Sequence, residues 1–325
     1  MDGATACVAS VGLDLRKGIA LSKHLVNPRR DSRKEIVIMR SASLRWKIIL
    51  ALVICELGLI PVYLATHAAG QVMHLNLRTR VQPFKATGEW QEVNFQEDIP
   101  TNEAAIIICD MWDNHWCTGA AKRTDILAQE MAPVIDVARA HGIVIIHAPS
   151  ETMEYYMDYP QRKRMLQIAK VNPPPALAIA RAPLPIDAAD GGCDTTPPDK
   201  FFVAWKHENS AITIHDADFI SENGNEVYSL LRQRGIKNLM VMGVHTNLCV
   251  LTRTFAIRRM TEWGIRCILV RDLTDSLYNP KDRPYVRHDQ GTELVIEYIE
   301  QNLCPTVLSS DLVSALGKAG TLGQK

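Results

Sequence analysis

No two cysteines in this chain stand in a CxxC pair, and nowhere are they dense. Cys7, Cys55, Cys109, Cys117, Cys193, Cys249, Cys267 and Cys304 are scattered along it. That spacing excludes a small disulfide scaffold and a zinc ribbon. Several of them lie in apolar runs and read as small hydrophobes. An excess of charge of either sign is also lacking: 36 Lys and Arg balance 36 Asp and Glu. No large basic face is implied, so no nucleic-acid partner is expected. Internal repeats are absent too. What the chain does have is apolar content, 47% of its 325 residues. That suffices for one large α/β domain or two small ones.

The first seventy residues differ from the rest. Residues 48–65, IILALVICELGLIPVYLA, are apolar except for Glu56. Arg40, Arg45 and Lys47 precede this run and small residues follow it, the order of a secretory signal. A start at Met39 in place of Met1 would make 1–38 an upstream extension. The run is long for a signal and suits a retained membrane anchor equally. Export or periplasmic location is therefore expected, with cleavage or anchoring left open. Residues 1–70 are set apart as an N-terminal extension, 71–100 as a short β-rich entry arm, 101–310 as the main domain and 311–325 as a tail.

From residue 104 onward, strand and helix patterns alternate. AAIIICD (104–110) is a continuous apolar run ending on aspartate, as suits a strand buried on both faces. Helical spacing covers 124–141, with Thr124 as N-cap and Gly142 as stop. GIVIIHAPS (142–150) reads as a second strand and 159–170 as a helix. Residues 171–199, rich in Pro, Gly and Asp, read as a long loop. FFVAWK (201–206) reads as a third strand, 225–235 as a helix, 237–243 as a strand, 248–264 as a helix and 265–272 as a strand. A last helix spans 292–303 and PTVLSS (305–310) reads as a final edge strand. The alternation predicts an α/β fold, a mainly parallel sheet with helices on both faces.

Ligands of such sheets bind beyond the carboxyl ends of the strands. Asp110, Lys206 and Cys249 all fall there. Cys249 would begin a helix, whose unpaired N–H groups favour a thiolate, and the Lys206 ammonium would favour it further. Asp110 can take the thiol proton and return it to a leaving amine. The turn before Cys249 can aim N–H groups at an oxyanion. Singly, each residue also has a plain structural role: packing for the cysteine, turn formation for the aspartate, solvation for the lysine.

GVHTNLCV (243–250) resembles the nucleophile motif of the isochorismatase-like cysteine hydrolases, the superfamily that includes nicotinamidases. AAIIICDMW resembles that family's first strand with its catalytic aspartate. WKHENSAI resembles its lysine segment, and CILVRDLTDS the strand after the nucleophile helix. The likeness spans roughly 100–305. It implies a three-layer α/β/α, Rossmann-like sandwich and a cysteine hydrolase that cleaves a C–N bond through a thioester. By the same resemblance, Asp110, Lys206 and Cys249 are the triad, the Val244–His245 peptide is cis, and the N–H groups of His245 and Cys249 form the oxyanion hole. A homo-oligomer is expected, since such relatives often assemble.

Where the family pattern has Gln, Asn and Asp after its aspartate, this chain reads MWDNHWC. Trp112 and Trp116 would line the pocket and stack on a flat substrate. His147 and Val244 are further pocket candidates. The Asp-x-His metal pair of nicotinamidases is missing after the second strand, so no metal and no cofactor are expected. The substrate is then a small amide, imide or ureido compound. Three alternatives stay open: a metal-dependent nicotinamidase using Asp113 and His115, a non-catalytic exported binding protein, and thiol redox chemistry between Cys117 and Cys249. An isochorismatase that breaks a vinyl ether without the cysteine is not expected, given Cys249.

Overall fold

Every residue of Ala104–Cys109 (β3) is buried, and successive side chains turn to opposite faces of one sheet. Even-numbered Ile106 and Ile108 join Met240, Met242, Ile268 and Val270 on one face. Odd-numbered Ala105 and Ile107 join Leu239, Val241, Cys267 and Leu269 on the other. A run without polar alternation is thus what a centrally placed parallel strand needs. The computed structural model describes residues 71–84 and 87–319. The apolar segment 48–65 and both candidate start residues lie outside the described residues. Among the described residues no helix is long and apolar enough to cross a membrane.

The sheet has eight strands: β1 (Val72–Val81), β2 (Gln91–Pro100), β3, β4 (Val144–Ala148), β5 (Phe219–Ile220), β6 (Asn238–Val244), β7 (Arg266–Asp275) and β8 (Thr306–Val307). Their order is β2-β1-β8-β7-β6-β3-β4-β5. Pairing is parallel from β8 through β5, and only β1 runs antiparallel to its neighbours β2 and β8. The even face is covered by α1 (Thr118–Ala140), through Leu127, Met131 and Ile135, and by α8 (Ser309–Ala319), through Leu312 and Leu316. The odd face is covered by α4 (Gly224–Arg234), α6 (Ile257–Glu262) and α7 (His288–Asn302). Two short helices, α2 (Met153–Tyr156) and α3 (Pro160–Leu166), follow β4, and α5 (Cys249–Thr252) follows β6. This is the three-layer α/β/α sandwich.

Several elements differ from the sequence expectation. FFVAWK forms no strand. Phe201, Phe202 and Val203 are exposed, and residues 207–209 instead pair with 111–113, through Asp113 N–H to His207 O at 2.9 Å and Asn209 N–H to Met111 O at 2.7 Å. Helix α1 begins at Thr118, ahead of the expected cap Thr124. The helix expected over 248–264 is broken, because Arg253 turns extended at ψ 152° between α5 and α6. β8 is no edge: the β1–β2 hairpin built from the supposed entry arm adds beyond it. The hairpin is fastened by Arg78 Nε and Arg80 Nε, which donate at 2.7 and 3.2 Å to the buried Glu300 on α7. Most of the expected tail is helix α8.

His147, expected in the pocket, is fully buried at the end of β4 in an ion cluster. Its Nδ1 donates to Glu208 at 2.7 Å and its Nε2 to Asp218 at 3.1 Å, and Arg139 also binds Asp218. Burial disfavours the imidazolium, but the two carboxylates outweigh it and raise His147 to about 9. Burial likewise resists the Asp218 charge, yet His147 and Arg139 draw it down to about 2. A raised histidine stabilises fully below its ordinary pKa of about 6.5, and that contribution is lost as pH rises through about 9. Unfolding free energy measured by denaturant should therefore fall between these values, by on the order of 3 kcal/mol. His147→Gln should be less stable at pH 6 and should lack that slope.

Candidate active site

Three strand ends meet at one edge of the sheet. β3 and β6 run in register with Cys109 opposite Gly243, and they lie so close that a Cβ on Gly243 would stand 2.0 Å from Cys109 O. Gly243 also adopts φ 124°, a conformation open to glycine. Just past these two residues come Asp110, with φ 50°, and the cis Val244–His245 peptide. The turn that follows is fastened to the end of β7. Thr274 Oγ1 donates to Gly243 O at 2.8 Å, so Thr246 Oγ1 donates to Thr274 Oγ1 at 2.7 Å. Asn247 exchanges two hydrogen bonds with the Leu277 main chain, at 3.0 and 2.9 Å. The turn presents Cys249 beside Asp110.

Asp110 is completely buried and well partnered. Its Oδ1 accepts from Ser150 N–H at 2.8 Å and its Oδ2 from Arg253 Nε at 2.9 Å. Burial raises its pKa, while Arg253 and Ser150 act against the rise. Asp110 and the His245 main-chain N–H both act on the Cys249 thiol, the carboxylate raising it and the N–H lowering it. The Cys249 N–H has no backbone acceptor among the described residues. Burial and then the Asp110 charge push the thiol far above its ordinary range, with Arg253 opposing. This corrects the expectation of a stabilised thiolate. α5 has only four residues, too few for a strong dipole, and the effect of Asp110 on the thiol outweighs that of Arg253.

Lys206 does not join the other two. It is exposed, its main-chain N–H donates to Asp113 Oδ1 at 2.8 Å, and it has no place in the cavity around Cys249. The expected strand that would have carried it to the sheet edge does not form. The cation beside Asp110 is Arg253, four residues after the cysteine. Burial works against its charge, and Asp110 and Cys249 more than restore it. Arg253 also donates to Glu151 at 3.0 Å. The sequence does carry a signal for Arg253, its i, i+4 spacing from Cys249, which the expectation of Lys206 overlooks.

Above Cys249 is a cavity of about 190 Å³ with aromatic walls. Trp112 and Trp116 line it together with Phe201, Trp205, His115 and His245. Trp112 donates from Nε1 to Ser150 O at 2.9 Å and stacks on Trp205 at 4.4 Å, with the planes 14° apart. Val244, expected in the pocket, points into the even-face core and is fully buried. Cys117 pairs in a disulfide with Cys193, so it is not a redox partner of Cys249. That bond anchors the long segment after α3 to the start of α1, and Arg123 supports it by binding Asp194 at 2.6 Å. The segment then delivers Phe201 and Trp205 to the cavity.

The residues proposed for a nicotinamidase metal do not fit one. The Asp113 carboxylate takes the N–H groups of Lys206 and His207, and His115 Nδ1 accepts from Cys117 N–H. Among the described residues, the one acid and thiol grouping of suitable spacing is Cys117, Cys193 and Asp199, whose sulfurs are already bonded to each other.

Residues 104–289 match the family model described as the isochorismatase domain. No curated protein matches the chain. Among solved structures, it is similar to a cysteine hydrolase from Pseudomonas syringae pv. phaseolicola 1448A, at 16% identity and TM-score 0.43, over 68% of this chain and 95% of that one. It is also similar to an isochorismatase from Pseudomonas putida KT2440, at 16% identity and TM-score 0.40, over 65% and 91%. The family match covers more than half of the chain and includes both Asp110 and Cys249, and the chain therefore belongs to the isochorismatase family of hydrolases.

Proposed function

We propose that the protein is a cysteine hydrolase that cleaves the C–N bond of a small amide, imide or ureido compound. The observation that carries this reading is the seating of the Cys249 thiol against the buried, Arg253-bound Asp110 carboxylate, on the floor of an aromatic cavity. At rest the pair is a thiol and a carboxylate. As Sγ attacks the substrate carbonyl carbon, the thiol proton passes to Asp110 and a C–S bond forms. The N–H groups of His245 and Cys249 stabilise the oxyanion. Asp110 then gives the proton to the departing nitrogen, and the C–N bond breaks. Water attacks the thioester with Asp110 as base, the C–S bond breaks, and the acid leaves as Cys249 is reprotonated. Arg253 keeps Asp110 ionised between these steps, while Lys206, expected to favour the thiolate, lies outside the cavity.

A non-catalytic binding protein is the second reading, and the protonated resting thiol together with the outlying Lys206 is the observation in its favour. Two variants separate the readings. Cys249→Ala should release no ammonia from any amide that wild type hydrolyses; turnover near wild type would sink the mechanism. Asp110→Asn removes the charge that raises the thiol. Iodoacetamide should then alkylate Cys249 faster at neutral pH, while hydrolysis falls by about 10²–10⁴-fold. Slower alkylation in that variant would rule out Asp110 as the group that raises the thiol and takes its proton.

We further propose that the chain is exported, since a disulfide such as Cys117–Cys193 persists in oxidising compartments. Cell fractionation with thiol titration checks this. Recovery of the full chain in a reducing compartment, with Cys117 and Cys193 both alkylatable, would overturn it.

A further inference from the structure

KFFVAWK (200–206) holds three consecutive large apolar side chains in water: Phe201 is 68% exposed, Phe202 56% and Val203 64%. Exposed apolar residues that stand singly are ordinary, but a contiguous group marks an interaction surface. This one is held outward from both ends. Asp199 accepts from the Thr118 N–H at 2.8 Å, and the Lys206 N–H donates to Asp113 at 2.8 Å. Trp205 is buried and stacks on Trp112, and Phe201 meets Trp116 edge to face at 5.8 Å.

A lysine closes the run at each end, and both are exposed. Lys163 and Lys237 pair with Asp158 and Glu103, but among the described residues Lys200 and Lys206 pair with no acid. Aromatic and apolar side chains between unpaired cations suit a membrane interface. The apolar groups enter the acyl boundary while the ammonium groups reach anionic headgroups. A second copy of this chain fits less well. A two-fold contact of the run on itself would gather the lysines of both copies in one patch. Three side chains are also few beside the roughly 20–30 residues that each partner commits to a stable interface.

The position of the run agrees with a lipid partner. Phe201 and Leu248, itself 39% exposed, line the cavity over Cys249. Leu77 of β1 pairs antiparallel with Val307, and Val270 of β7 pairs parallel with it. β1 therefore begins toward the sheet edge at which β7 ends, the edge that carries the cavity. In the chain, only residues 66–71 separate β1 from the apolar run 48–65, a reach of at most ~20 Å.

We propose that KFFVAWK is an interfacial segment that seats the mouth of the Cys249 cavity on an anionic lipid surface. Phe201, Phe202 and Val203 supply the apolar contact, and Lys200 and Lys206 the attraction to headgroup phosphates. The proposal goes beyond the hydrolase reading and does not depend on it.

Photolabelling tests this on the full chain. The probe is a phosphatidylglycerol with a diazirine in its acyl chain, carried in phosphatidylcholine vesicles with or without added phosphatidylglycerol. Lipid adducts are mapped by mass spectrometry. Adducts should appear on residues 201–203 in the anionic vesicles. Their yield should fall by at least about fivefold in the vesicles without added phosphatidylglycerol, and equally in the Lys200→Glu, Lys206→Glu double variant, since each lysine near an anionic surface contributes about that factor. Adducts on 48–65 in the same samples report lipid contact made independently of the segment. Absence of adducts from 200–206, whether or not 48–65 is labelled, overturns the proposal. So does a yield on 201–203 that ignores both changes of charge. Chain-to-chain crosslinks through 200–206 in place of lipid adducts would assign the run to a second copy and equally overturn it. Amide hydrolysis is read separately, by ammonia release, so failure of either reading leaves the other standing.

Discussion

A carboxylate with no exposure to water needs partners, and Asp110 organises its surroundings accordingly. Removing one partner of a buried ion pair leaves an uncompensated charge, which is strongly destabilising. Asp110 takes a main-chain N–H from the segment after β4 and a guanidinium from the break between α5 and α6. Those two contacts join the ends of β3 and β4 to the chain that follows β6. The break in the helix at Arg253 fits this demand. A continuous helix from 248 to 264 has good apolar spacing, but the extended Arg253 backbone accompanies a side chain paired with both Asp110 and Glu151.

The same constraint governs the chemistry. An anion beside a buried thiol raises the thiol, so in the proposed mechanism Cys249 starts protonated and is activated in the attack step. Arg253 opposes the rise and holds Asp110 in its ionised form. In the proposed mechanism the cation thus acts mainly on Asp110. Around this charged floor the walls are aromatic, and much of that wall is delivered by a segment with no regular structure of its own. The Cys117–Cys193 bond and the Arg123–Asp194 ion pair hold that segment in place, and so bear on the shape of the cavity.

Apolar runs long enough to be buried on both faces, and helices with clear stops, made the parallel sheet and its layers legible in the sequence. AAIIIC, GIVII and KNLMVM could hardly be anything other than central strands. The motif at Cys249 and the strand end at Asp110 were legible for the same reason, since strand ends are where such sheets place ligands. The runs that misled were those without a partner. FFVAWK has strand-like composition, yet a strand needs an adjacent edge, and the edge beside β4 is taken by Phe219–Ile220. His147 and Val244 both close strands, but pleat parity and a neighbouring acid pair turned them into the interior.

By itself, the sequence determined the layer order, the sheet edge that carries the site, and two of its chemical groups, because burial periodicity and strand-end position are local properties of the chain. Only the tertiary structure decided which cation stands by Asp110 and which cysteines pair. Those outcomes depend on residues far apart in the chain, Cys117 with Cys193 and Asp110 with Arg253, and on the competition for hydrogen bonds where they meet. Charge type and spacing along the chain cannot rank such competitors; distance and burial in the folded protein do.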